Sequence, residues 1–109
     1  MDIEEFRRTL RERDRVVYTA CDEWDSGIER CLEKEFKILT EDVPSTIRYL
    51  ENDCTAEEFV WIGEVLPDVV RYTRSRDLLD SYRNLSQKYR DESGAFDIQK
   101  IIQSAEQQL

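Results

Sequence analysis

Between Asn52 and Arg76 the chain reads NDCTAEEFVWIGEVLPDVVRYTRSR, and no other stretch constrains the fold as much. Thr55-Ala56-Glu57-Glu58 has the spacing of a capping box, in which the Thr55 hydroxyl accepts from the Glu58 amide and the Glu58 carboxylate accepts from the Thr55 amide. Cys54 and Phe59 flank that start at the positions of a hydrophobic staple. Beyond it Phe59, Ile62, Leu66, Val69 and Thr73 recur at steps of three and four residues, which is one face of a helix. Pro67 removes the amide that would bond the Gly63 carbonyl, but the apolar stripe keeps its phase across it. The stretch is therefore expected to be one helix with a kink at Pro67.

The same grammar recurs along the chain. Asp2-Ile3-Glu4-Glu5 starts a first helix, and Ile3, Phe6, Leu10, Val17, Cys21 and Trp24 extend its seam to about Trp24, interrupted by Arg13 and Asp14. Ser26-Gly27-Ile28-Glu29 forms a second capping box, followed by an inner face of Ile28, Cys31, Leu32, Phe36 and Leu39 as far as Thr40. Asp42-Val43-Pro44 opens a short helix with proline in its first turn, and Val43, Ile47, Leu50 and Cys54 make its inner side. Ser75 caps another helix with a stripe of Leu78, Tyr82, Leu85 and Tyr89. Asp91-Glu92-Ser93-Gly94 reads as an open loop. A last helix then begins at Phe96-Asp97-Ile98, with Phe96 placed to staple onto Ile101 and with Ile98, Ile101, Ile102, Ala105 and Leu109 facing inward. No run of strict alternation bounded by turn residues occurs. The expectation is an all-α fold: a compact, single-domain bundle of about six helices over residues 1–109, mostly antiparallel because the connections are short.

Charge narrows the partners. Sixteen basic and 25 acidic residues give −9, unevenly spread: residues 16–42 and 43–70 each sum to −5, whereas 71–90 sum to +4. An acidic field of this kind repels nucleic acid and anionic membranes and attracts basic proteins. Arg71, Arg74, Arg76, Arg83 and Arg90 are expected to pair with acids inside the domain or on a partner rather than to bind RNA. The chain has no histidine, the commonest general base, and Cys21, Cys31 and Cys54 lack metal-ligand spacing. The expectation is a protein that is not an enzyme and uses no cofactor and no metal. Cys54 beside a helix start admits an activated thiolate, but a buried structural thiol is the commoner role. Charge begins immediately after Met1, and no apolar run approaches the roughly 18 residues of a membrane span, so a cytoplasmic protein with free thiols is expected.

At about 100° per residue, Glu57, Trp61, Glu64 and Asp68 fall on one face of the central helix, away from its apolar stripe, with Asp53 and Glu58 at the edge. A tryptophan ringed by carboxylates suits a basic protein surface, and these six residues form the expected partner-binding site. The opposing reading is that Trp61 packs inside its own domain, as most tryptophans do.

Asn52-Asp53-Cys54-Thr55-Ala56-Glu57-Glu58-Phe59-Val60-Trp61 and Thr73-Arg74-Ser75-Arg76-Asp77 resemble small acidic helical immunity proteins of bacterial polymorphic toxin systems, the group that includes contact-dependent growth inhibition immunity proteins. The resemblance runs from about Glu41 to Leu109, and Pro67 departs from the uninterrupted helix such proteins would carry there. It implies a stoichiometric inhibitor that binds the toxic C-terminal domain of a secreted effector, in many cases a nuclease with a basic cleft. A competing class is a non-enzymatic cytosolic adaptor or regulatory subunit for a basic partner.

Overall fold

The computed structural model describes the backbone of residues 1–19 and 24–109 and the side chains of residues 1–13 and 29–109. Its elements are α1 (Ile3–Thr19), α2 (Trp24–Glu41), α3 (Val43–Asn52), α4 (Ala56–Gly63), α5 (Leu66–Thr73), α6 (Arg76–Lys88), α7 (Arg90–Ala95) and α8 (Ile98–Gln107). No strand occurs among the described residues. The box expected at Ser26-Gly27-Ile28-Glu29 and the seam positions Val17, Cys21 and Trp24 lie outside the described side chains. The expected extension of the first helix to about Trp24 runs into residues 20–23, also outside the description.

Most starts follow their local signals. Asp2 accepts from the Glu5 amide at 3.1 Å, Asp42 from Ser45 at 3.4 Å and Ser75 from Leu78 at 3.2 Å. The Thr55–Glu58 box closes in both directions, each bond at 3.2 Å. Each accepted amide would otherwise be an orphan donor of a first helical turn.

Eight helices, not about six, make up the described chain, and two corrections account for the difference. The expected kinked helix is two helices, α4 and α5, broken at Glu64-Val65. There the Glu64 and Val65 amides bond three residues back, to Trp61 and Ile62, and regular bonding resumes with Val69 to Val65. Pro67 thereby falls in the first turn of α5, where its missing amide removes no helical bond. The apolar stripe keeps its phase across the break, which is why periodicity did not reveal it. The second correction is Asp91-Glu92-Ser93-Gly94, which lies in α7 and not in an open loop. Ser93 and Phe96 bond back to Tyr89 and Glu92, Ser93 is buried, and the acids occupy the first turn, where the helix dipole favours them.

One core joins the elements. Phe6 of α1 meets Tyr49 of α3 edge-on, with ring centroids 5.6 Å apart, and Phe59 of α4 stacks on Tyr82 of α6 at 4.7 Å. Leu39, Leu50, Leu66, Val69, Leu78, Leu79, Ile98 and Ile102 fill the space around them. The main pairings are α1 with α2, α5 with α8 and α3 with α6, and the radius of gyration is 13.4 Å, which matches a compact domain of this length. Gly63 ends α4 where that core is tightest. A Cβ there would lie 2.9 Å from the Tyr82 hydroxyl and 3.2 Å from Ile98 Cδ1, so the glycine is required by close approach, beyond any easing of the turn before Pro67.

The inner face of α2 differs from the expected stripe. Cys31, Glu35, Ile38 and Leu39 are buried, while Leu32 and Phe36 are only half-buried. Phe96, expected to staple the last helix, is 57% exposed, and α8 starts at Asp97 with no side-chain cap. Among the described residues, no helix is long and apolar enough to cross a membrane.

Candidate functional site

The six residues singled out on the central helix do not form one free acidic face. Glu58 turns inward and is only 8% exposed. Its carboxylate accepts from Tyr49 Oη at 2.7 Å, Arg7 Nε at 2.8 Å and the Thr55 amide at 3.2 Å, and Arg7 also donates to the Asp53 carbonyl at 2.9 Å. This clamp ties α1 and α3 to the start of α4. Burial pushes the Glu58 carboxyl up, but the bonds from Arg7, Tyr49 and Thr55 outweigh it and hold it below its ordinary value. The Asp53 side chain stays exposed at the end of α3.

Arg13 reorganises the other end of the face. It interrupts the apolar seam of α1 between Leu10 and Val17, and it is 4% exposed. Its guanidinium lies over Trp61, 4.3 Å from the ring centroid, approaches Glu35 of α2 at 3.3 Å and also donates to Glu64. Glu35 is 1% exposed, and burial pushes its carboxyl up to about 7 against the pull of Arg13. The long contacts to Arg13 explain why the cation does not offset that burial. Trp61 is half-buried: one side meets Arg13 and the core, and the rest is open. Neither the fully exposed anchor nor the fully internal tryptophan describes it.

Among the described residues, two depressions border α4 and a further one lies beyond its end. The first, of about 150 Å³, lies between α1 and α4 and is lined by Arg7, Leu10, Arg11, Glu57, Glu58 and Trp61. The second, of about 350 Å³, lies between α2 and α5 over Leu32, Phe36 and Val65, with Glu33, Glu64, Asp68 and Arg71 at its rim. Tyr72, 69% exposed, stands edge-on against Phe36 beside it, with ring centroids 5.4 Å apart. The third, of about 370 Å³, lies between α4 and α7, with Ala56, Val60, Trp61 and Phe96 on its walls and Glu57 and Glu92 as its charges. Glu57 and Trp61 thus line both the first and the third, while Glu64 and Asp68 border the second across the α4–α5 break.

Electrostatics separates the three. In the first, Arg7 holds Glu58 at 2.8 Å and Arg11 is part of the wall, and in the second Glu64 is held by Arg13 and Asp68 by Arg71 at 3.1 Å. In the third, neither Glu57 nor Glu92 has a cationic partner among the described residues, and no base lines the walls. Sequence reasoning missed Arg13, Glu92 and Phe96. The visible signal for Phe96 was an aromatic just after the Asp91-Glu92-Ser93-Gly94 stretch; that for Arg13 was its seam position between Leu10 and Val17, obscured by the alternating charges around it.

Two further expectations have outcomes. Arg71 and Arg83 do pair inside the domain, Arg83 with Asp80 and Glu106 at 3.3 Å each. Cys54 is a buried thiol, pushed up to about 12 mainly by burial, which leaves it protonated at neutral pH and without the thiolate a nucleophile needs. Among the described residues no group of three or more His, Cys, Asp or Glu is placed to hold a metal ion. Compared with protein-family models, curated proteins and solved structures, the chain matches none.

Proposed function

We propose that this chain is an immunity protein, which neutralises a basic toxin domain by binding it one to one with no turnover of its own. The observation that carries the reading is the groove between α4 and α7, an open apolar surface around Trp61 and Phe96 whose only charges among the described residues are carboxylates. The acidic balance of −9 and the resemblance at residues 52–61 and 73–77 support it. Aromatic burial supplies affinity at such a surface, and the carboxylates speed encounter and select a basic partner. A nuclease domain, whose substrate cleft must itself be basic, is the toxin class that this charge fits best.

The test is a titration against the basic C-terminal domain of a large secreted protein encoded beside this chain. Loss of toxin activity at an equimolar endpoint, and rescue of cells expressing that domain, are the expected results. Binding without loss of activity would instead make the chain an adaptor for a basic protein. Absence of both binding and protection rules the proposal out.

A further inference from the structure

We infer that the α4–α7 groove takes a basic segment of the partner that inserts one large apolar side chain between Trp61 and Phe96 and sets a lysine or arginine against each of Glu57 and Glu92. This deepens the inhibitor reading above and rests on it for the partner's identity, but not for the chemistry of the segment.

The groove is open on its outer side, and its apolar walls come from two elements that do not otherwise cover each other there. Val60 and Trp61 are only partly buried, packed on their inner sides against the core, and Phe96 leaves more than half its surface in water. An aromatic exposed to this extent at the junction of two short helices gains by burial under a partner. The charges at the groove are of one sign. Glu57 is exposed and Glu92 half-buried, and neither is engaged by a base among the described residues. An incoming cation therefore displaces no internal ion pair, unlike at Glu64 or Asp68, where Arg13 and Arg71 would have to be displaced.

Charge also selects among occupants. A second copy of this chain would bring another −9 protein against the same carboxylates, which like-charge repulsion opposes. A purely apolar segment would leave Glu57 and Glu92 beside a desolvated surface with no counter-charge. A segment with an apolar tip and flanking cations satisfies both parts of the groove.

The experiment uses the full chain, ¹⁵N-labelled, titrated with a short synthetic peptide carrying one phenylalanine flanked by lysines, and separately with its glutamate-flanked counterpart. The Trp61 indole signal is assigned by its loss in Trp61→Phe. The lysine peptide is expected to shift the Trp61 indole together with the amides of Val60, Glu92 and Phe96, more weakly as salt rises, and the glutamate peptide is expected to leave them unmoved. Phe96→Ser and the double variant Glu57→Lys/Glu92→Lys should each weaken binding by about tenfold or more, the effect of losing an interface anchor, with the helical circular dichroism signal at the assay temperature unchanged, although lysines in the first turns of α4 and α7 lower the melt of the double variant. Shifts centred on Leu32, Phe36 and Val65, equal response to both peptides, or no response overturns the inference. The same variants separate it from the inhibitor reading. If they neutralise the toxin domain as well as the parent does, inhibition stands and this groove is not where it occurs. If the peptide docks here but no toxin is neutralised, the groove stands and the inhibitor reading falls.

Discussion

The guanidinium of Arg13 lies over the indole of Trp61, its central carbon 4.3 Å from the ring centroid, while the same group faces the buried carboxylate of Glu35. One arginine thus joins α1, α2 and α4 beneath the groove proposed for the partner. Its Nε is buried with no hydrogen-bond partner among the described residues, so the arrangement tolerates one unmet donor in exchange for a fixed cation under the tryptophan.

Removing that cation should be severe. Arg13→Ala leaves Glu35 buried without its counter-charge, and the expected loss of stability is about 3–5 kcal/mol, the usual effect of orphaning one partner of a buried pair. Replacing both partners by apolar side chains of similar size, Arg13→Met with Glu35→Leu, should restore much of that loss. Urea unfolding of the two variants and the parent measures it. A loss below about 1 kcal/mol for Arg13→Ala, typical of an exposed pair, would show that the contact is incidental.

Glu35 and Glu58 should give opposite pH dependences. The Glu35 carboxyl is raised by burial from 4.5 to about 7, so the folded state binds its proton more readily than the unfolded state does. Its stabilising contribution is fully present below about 4.5 and is lost as pH rises towards about 7. Relative to Glu35→Gln, the parent should therefore gain on the order of 2 kcal/mol as pH falls through that window. Urea midpoints of the pair across the window test this, and a difference that stays flat with pH rejects it.

Glu58→Ala should act on stability rather than on association. It removes the acceptor of the buried Tyr49 hydroxyl and half of the α4 capping box. A loss of about 2–3 kcal/mol is expected from the unmet donor and the broken cap together. Because the folded carboxyl is held below its ordinary value of 4.5, its contribution is present above that value and lost on acidification below it. Stopped-flow association with the toxin domain, measured on protein that is still folded, should change little. A slowed association without a stability loss would mean that Glu58 faces the partner after all.

Gly63→Ala sets two effects against each other. Alanine gains roughly 1 kcal/mol over glycine within a helix, but its Cβ would meet the Tyr82 hydroxyl at 2.9 Å, and that hydroxyl is held by the Phe59 carbonyl at 2.8 Å. Overpacking a full core typically costs about 1–3 kcal/mol, so net destabilisation is expected. Tyr82→Phe removes the obstructing oxygen and should make the alanine better tolerated in the double variant than in the parent. Thermal melts of the four proteins provide the cycle, and simple additivity would show that the clash is absent.

The helical class, the caps at Asp2, Asp42, Thr55 and Ser75, and most inward positions from Phe59 to Ile102 were legible in the sequence, because each depends on neighbours within about four residues along the chain. The break at Glu64-Val65 was not, since the apolar stripe continues through it and only the backbone bonds reveal it. The state of each charge was decided by tertiary structure. Glu58 is withdrawn from the surface by Arg7, 51 positions away, and Glu64 is engaged by Arg13 at the same separation. Glu57 has no ion-pair partner among the described residues, and Glu92 and Phe96 join it only because α7 returns to α4. Helical periodicity assigns a residue to a face but says nothing of what folds against that face. For a chain with this many charges, that second fact determines which carboxylates remain available to a partner.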